Sequence, residues 1–259
     1  MNMEKCAITK ELKKLKELKE LKKMIMKKVV LMAMMIATGM CAKAQEGIET
    51  AIGADVVSQY IWRGQNLGNV SLQPTLGISY KGLSLTAWGS VGLASTADTK
   101  EYDLTLSYTL GGLNIGVTDY WFNQGGLDPD GRYFKYDAHG TNHVFEGNIG
   151  YDFGFASLQW FTNFSGNDYK ADGERAFSSY MEVAVPFKLS GVEWTATAGA
   201  VPTESVQYGT TGFAVTNLSL KATKDIKVTD TFSVPIFAQV VANPCSQMSY
   251  LVLGFTLQP

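Results

Sequence analysis

Between residues 48 and 257 the chain alternates apolar and polar positions in short segments separated by turn-forming residues. From Ile48 to Arg63 the even positions include Ile48, Ile52, Val56, Tyr60 and Trp62, and the odd ones include Glu49, Asp55, Gln59 and Arg63. Leu104, Leu106, Tyr108 and Leu110 oppose Asp103, Thr105, Ser107 and Thr109 in the same way. Successive side chains of a strand point to opposite faces, so a period of two predicts strands with one apolar and one polar face. Register is then well specified, because a slip of one residue would turn every charge to the apolar side.

Twelve such strands are predicted, over 48–63, 71–81, 83–94, 101–110, 113–122, 143–153, 155–164, 176–187, 192–201, 213–223, 231–241 and 248–257. Lys81-Gly82, Gly111-Gly112 and Gly154 are connections near the two-residue hairpin limit. Lys188–Gly191 and Lys224–Asp230 complete that rim, whereas Asn123–Asn142, Ser165–Arg175 and Pro202–Gly212 make the other rim long-looped. The pattern predicts an all-β fold, a closed antiparallel transmembrane barrel of about twelve strands in meander order. Strands this short cross a bilayer only if every backbone N–H and C=O is paired around a closed cylinder. Long loops in such barrels are extracellular, and an even strand count places both termini on the periplasmic side.

Aromatic residues support the membrane reading, since barrels carry girdles where lipid meets water. Tyr60, Trp62, Trp121, Phe145, Phe164 and Phe177 are expected to face outward in one girdle, and Tyr80, Tyr108, Tyr151, Phe153, Phe187 and Phe255 in the other. A soluble β-sandwich would use such aromatics in its core, but it has no need of loops that are long on one side only.

Residues 1–44 are expected to be removed. Lys27 and Lys28 precede an apolar run from Val29 to Ala42, and Ala42-Lys43-Ala44 offers a small-x-small cleavage site, the layout of a secretory signal peptide. The Lys/Leu/Glu-rich stretch from Glu4 to Lys23 lies upstream of what a signal needs, so Met24 or Met26 competes with Met1 as the start. Residues 45–259 then form one barrel domain at the outer membrane of a Gram-negative cell. Of the three cysteines, Cys6 and Cys41 fall in the removed segment, which leaves Cys245 without an intramolecular partner. Met40 stands where a lipoprotein signal wants a small residue. Most of the lysines leave with the N-terminus, so the remaining chain is acidic and lacks the basic stripe of a nucleic-acid binder.

The segment Ser58-Gln59-Tyr60-Ile61-Trp62-Arg63-Gly64, then Pro74, Tyr80-Lys81-Gly82, Ala87-Trp88-Gly89-Ser90 and Glu101-Tyr102-Asp103-Leu104, resembles the TorF family of outer-membrane porins. The resemblance covers roughly residues 50–122. It implies an outer-membrane barrel with pore function, and it adds no catalytic residues.

Parity places the chemistry-bearing residues. Arg63, Glu101 and Asp103 are expected to point inward at the long-loop rim, where an ion pair would narrow the mouth, or else stand solvated and contribute little. Asp55, Glu146, Glu182 and Glu193 are expected deeper inside, with Lys81 and Lys221 nearer the other end. A wall more acidic than basic favours cations if water fills the lumen. Inward Trp88, Phe161, Tyr180, Phe237 and Tyr250 could instead plug it, since twelve strands lie between filled barrels and wide porins. His139 and His143 flank no recognisable nucleophile, and two histidines four apart make a poor metal site even with Asp137 nearby. Asp128-Pro129-Asp130-Gly131 reads as a turn. No cofactor is implied.

Three function classes follow in order. The first is a narrow porin for passive diffusion of small polar solutes or ions, with mild cation preference. A closed structural or adhesive barrel comes second, and an outer-membrane lipid-acting enzyme third. Outer-membrane lipid and small polar solutes are the expected partners, and oligomeric state is not legible.

Overall fold

The computed structural model of the chain describes residues 47–94, 98, 100–229 and 232–258. The expected signal peptide, the alternative starts, Cys6 and Cys41 lie outside the described residues. Alternation translates into strands almost throughout, and no helix occurs among the described residues. Twelve strands close the wall. After β1 (Ile48–Val57) the chain makes a short hairpin of β2 (Tyr60–Trp62) and β3 (Gln65–Gly68), then returns to the wall as β4 (Ser71–Tyr80). It continues through β5 (Leu83–Gly92), β6 (Glu101–Leu110), β7 (Leu113–Phe122), β8 (His143–Asp152) and β9 (Ser157–Gly166). The remaining strands are β10 (Ser179–Leu189), β11 (Val192–Val201), β12 (Ala214–Lys227), β13 (Ser233–Asn243) and β14 (Met248–Leu257). β1 and β4 to β14 form a closed barrel in meander order, with β1 paired antiparallel to β14 (Asp55 to Thr256, Val57 to Gly254).

The expected first strand, 48–63, is therefore corrected: it leaves the wall after Val57. At Ser58 the amide donates to the Leu253 carbonyl at 2.8 Å, and the hydroxyl accepts the Leu253 amide at 2.9 Å, which ends the ladder with a side chain. Arg63 and Gly64 both have positive φ, 49° and 82°, as a two-residue mirror-image turn requires, and the chain doubles back as β3. Alternation continues through residue 63 because β2 is itself a strand; a period of two does not say which sheet a strand joins. β12 runs four residues beyond its expected end, to Lys227.

The outer wall carries exposed Leu76, Leu85, Leu106, Ile149, Leu251 and Leu253. The inner wall is polar. The Thr105 and Thr118 hydroxyls meet at 3.0 Å, and Asn148 donates to Asn114 at 2.8 Å. Connections are short at one rim and long at the other, as alternation predicts. The 123–142 loop is docked on the outside, because Tyr133 packs edge-on against Trp121 and His143 and tilted against Tyr102, all on the outer face.

Candidate functional site

The β2–β3 hairpin lies inside the barrel. Its tip meets inward-facing groups of β8, β9, β10, β12 and β13 together, which only a segment crossing the bore can do. A Cβ added at Gly64 would run into the Thr216 carbonyl of β12, so only glycine fits this positive-φ position against the far wall. Asn243 of β13 donates to the Gly64 carbonyl at 3.1 Å.

Arg63 is the centre of the site. Its Nη1 and Nη2 donate to the two Glu146 carboxylate oxygens at 2.6 and 2.9 Å, a forked pair, and Nη1 also donates to the Tyr208 hydroxyl at 2.9 Å. The guanidinium carbon lies 3.9 Å from the Phe161 ring centroid, 4.3 Å from that of Trp62 and 4.7 Å from that of Tyr180. The Tyr120 hydroxyl donates to Glu146 at 2.9 Å, completing the carboxylate's surroundings. Tyr208 stacks between Trp62 (5.9 Å) and Tyr180 (5.6 Å), and burial pushes its hydroxyl well above the usual tyrosine range, so it stays protonated. The Arg63 and Glu146 side chains are 9% and 4% exposed. A charge taken out of water this far is stable only with its partner in place.

Two irregularities of the wall serve this cage. The β8–β9 ladder is bulged between Phe145 and Glu146, and a bulge re-aims the side chain beside it. The β11–β12 ladder is bulged between Gly199 and Ala200, and the Tyr180 hydroxyl occupies the space where a Gly199 Cβ would stand. That hydroxyl donates to Glu182 at 2.6 Å and accepts from Asn217 at 3.1 Å.

The six residues expected to line the pore have separate fates. Arg63 does not pair with Glu101 or Asp103; its partner is Glu146, because the hairpin carries it across the bore. Glu101 and Asp103 are both buried, close to each other and to Tyr60. One Asp103 carboxylate oxygen has no partner. Asp55 accepts from Thr256 at 2.6 Å, beside a cavity of about 520 Å³ bordered by Thr75 and Gln258. Glu182 belongs to the lower edge of the cage. Glu193, expected inside, lies at the short-turn rim in an exposed pair with Lys188 at 2.8 Å. Lys221 stands 4.1 Å over the Phe237 ring.

Two aromatics are corrected as well. Tyr60 and Trp62 do not face outward; they point into the bore, Tyr60 against Trp88 (5.5 Å) and Trp62 against Tyr120 (6.0 Å). Sequence reasoning missed Tyr120 and Tyr208. Parity would have found Tyr120, paired with inward Asp103. Tyr208 sits in an irregular loop, where no period operates.

The histidines do not come together as a site. His139 stacks on Tyr169 at 4.0 Å. His143 contacts Asp119 through Nδ1 at 2.7 Å and the Tyr133 carbonyl through Nε2 at 2.6 Å, with its ring stacked on Tyr136 at 4.2 Å. Asp119 is on the outer face, opposite Leu104, and the docked loop is what accommodates a carboxylate there. Within that loop, Asp128 accepts Arg132 Nε and Nη2 at 3.0 and 2.9 Å. These hydrogen bonds hold its carboxyl well below the usual carboxylate range.

No family profile matches the chain, and no curated protein does. One solved structure, described as "Unveiling the Mechanism Behind the in-meso Crystallization of Membrane Proteins", aligns over 82% of this chain and 82% of its own, at 8% identity and a TM-score of 0.38. At that likeness nothing is carried over. The class rests on the fold itself: a closed, twelve-stranded antiparallel β-barrel with a hairpin folded into its bore.

Proposed function

We propose that the protein is an outer-membrane barrel acting as a narrow, gated channel for small polar solutes with mild cation preference, its long loops extracellular. The observation that carries this reading is the content of the bore. The bore holds a small hairpin whose Arg63 is ion-paired to the wall, and the wall carboxylates Asp55, Glu146 and Glu182 outnumber inward Arg63 and Lys221. Isolated two-stranded hairpins are marginally stable in water, so this one depends on its contacts with the wall. Fixed carboxylates raise the local cation concentration within a screening length of ~8–10 Å. The resemblance of roughly residues 50–122 to TorF porins supports the same reading.

A second reading, a closed structural or adhesive barrel, is favoured by the depth at which Arg63 is buried. Planar-bilayer recordings separate the two. Glu146→Gln, which weakens the hold on Arg63, should raise open probability over wild type, and neutralising Glu182 as well should move the reversal potential towards anions. If folded wild type and Glu146→Gln both give no current steps and no solute uptake in liposomes, the channel reading fails and the closed barrel stands.

A further inference from the structure

The surroundings of Arg63 are those of a bound ligand. A planar cation lies against aromatic faces at 3.9 to 4.7 Å, is met edge-on by a forked carboxylate, and takes a tyrosine oxygen as a further acceptor. Only Trp62 among these groups belongs to the hairpin. Phe161, Tyr180, Glu146 and Tyr208 belong to the wall and a long loop, and remain when the hairpin moves.

We infer that these wall residues form a binding site for guanidinium-bearing solutes, occupied here by Arg63 as a tethered competitor. The fork of Glu146 matches the in-plane N–H pairs of a guanidinium, and flat aromatic faces stack on its plane; an ammonium matches neither. A cavity of about 230 Å³ on the long-loop side is bordered by Trp62 and Tyr120, which adjoin the cage.

Displacing Arg63 from the cage would free the hairpin tip, coupling recognition of the solute to opening. That consequence rests on the channel reading, whereas the binding does not. A tethered group competes at an effective concentration on the order of millimolar, so free ligand meets a matching barrier in wild type.

The test uses refolded full-length mature barrel, wild type and Arg63→Ala, titrated calorimetrically with ethylguanidinium chloride at constant ionic strength, with ethylammonium chloride as control. Arg63→Ala should bind ethylguanidinium saturably, at least about tenfold more tightly than wild type, as removal of a tethered competitor requires. Ethylammonium should bind far more weakly, and Arg63→Ala/Glu146→Gln should lose the binding. No saturable binding to Arg63→Ala, equal binding of the two cations, or equal affinity of wild type and Arg63→Ala would overturn the assignment. Should Arg63→Ala fail to fold, Arg63→Lys takes its place, keeping the charge without the fork, and the same outcomes decide. Bilayer current is recorded separately. Binding without current leaves the site and sinks the channel; current without saturable binding does the reverse.

Discussion

At the scale of single residues, Arg63 carries the most consequence. Removing one partner of a buried ion pair leaves the other charge uncompensated, at a cost of about 3–5 kcal/mol. That exceeds what a hairpin of three and four residues can hold by itself. Arg63→Ala should therefore release residues 58–70 while the wall stays closed. Amides of Trp62 and Gln65 should lose hydrogen-exchange protection while those of Thr105 and Val117 keep it; uniform loss would mean that the hairpin and wall fold as one unit. Asp128 makes a second prediction, on the outer loop. A carboxyl depressed in the folded state contributes stability that is full above its unfolded value of about 3.9, and lost as pH falls through the lower folded value. The 123–142 loop should stay docked from neutral pH to about 4 and loosen below it. Asp128→Asn should loosen it already at neutral pH, read as faster exchange of the Arg132 amide, which donates to Asp128 at 3.0 Å. Unchanged exchange would show that the loop is held by its aromatics alone.

At the scale of elements, the wall strands and the hairpin obey different constraints. A wall strand needs one apolar face. Leu106→Arg on β6, 53% exposed on the outer side, should cost ~2–4 kcal/mol near the middle of a lipid face, whereas Thr105→Arg should leave lipid insertion intact. Equal stability of both after refolding into lipid would reverse the parity of β6. The hairpin instead needs a tip without a side chain. Gly64→Ala combines a disfavoured backbone with a collision against Thr216, so it should expel the tip and mimic Arg63→Ala in the exchange measurement. Retained protection at Gln65 would show that β12 can yield.

At the scale of the whole molecule, orientation is the claim most open to test. Cys245 is exposed in the turn between β13 and β14, at the long-loop rim. Placed in a cell with long loops outward, it should react with an impermeant maleimide on intact cells. Labelling only after the outer membrane is disrupted would invert the topology and, with it, the side from which a solute reaches the Arg63 cage.

Strand number, meander order and the inward face of each wall strand were legible in the residues, because period-two alternation and backbone pairing are local rules that a barrel repeats twelve times. Asp55, Glu101, Asp103, Glu146 and Glu182 were accordingly found from parity alone. Two decisions were not local. Whether residues 58–70 extend the wall or fold into it depends on Ser58 ending the ladder at Leu253 and on space beside Thr216, neither of which alternation encodes. The partner of Arg63 depends on a hairpin crossing the bore to a residue 83 positions away, beside a bulge in another ladder. Tyr208 joins them from a loop with no period at all. The sequence by itself thus determined a barrel with an acidic lining, because patterning acts strand by strand. Only the tertiary structure decided that a hairpin enters its bore and pairs Arg63 with Glu146, because that contact is made between segments that no local rule brings together.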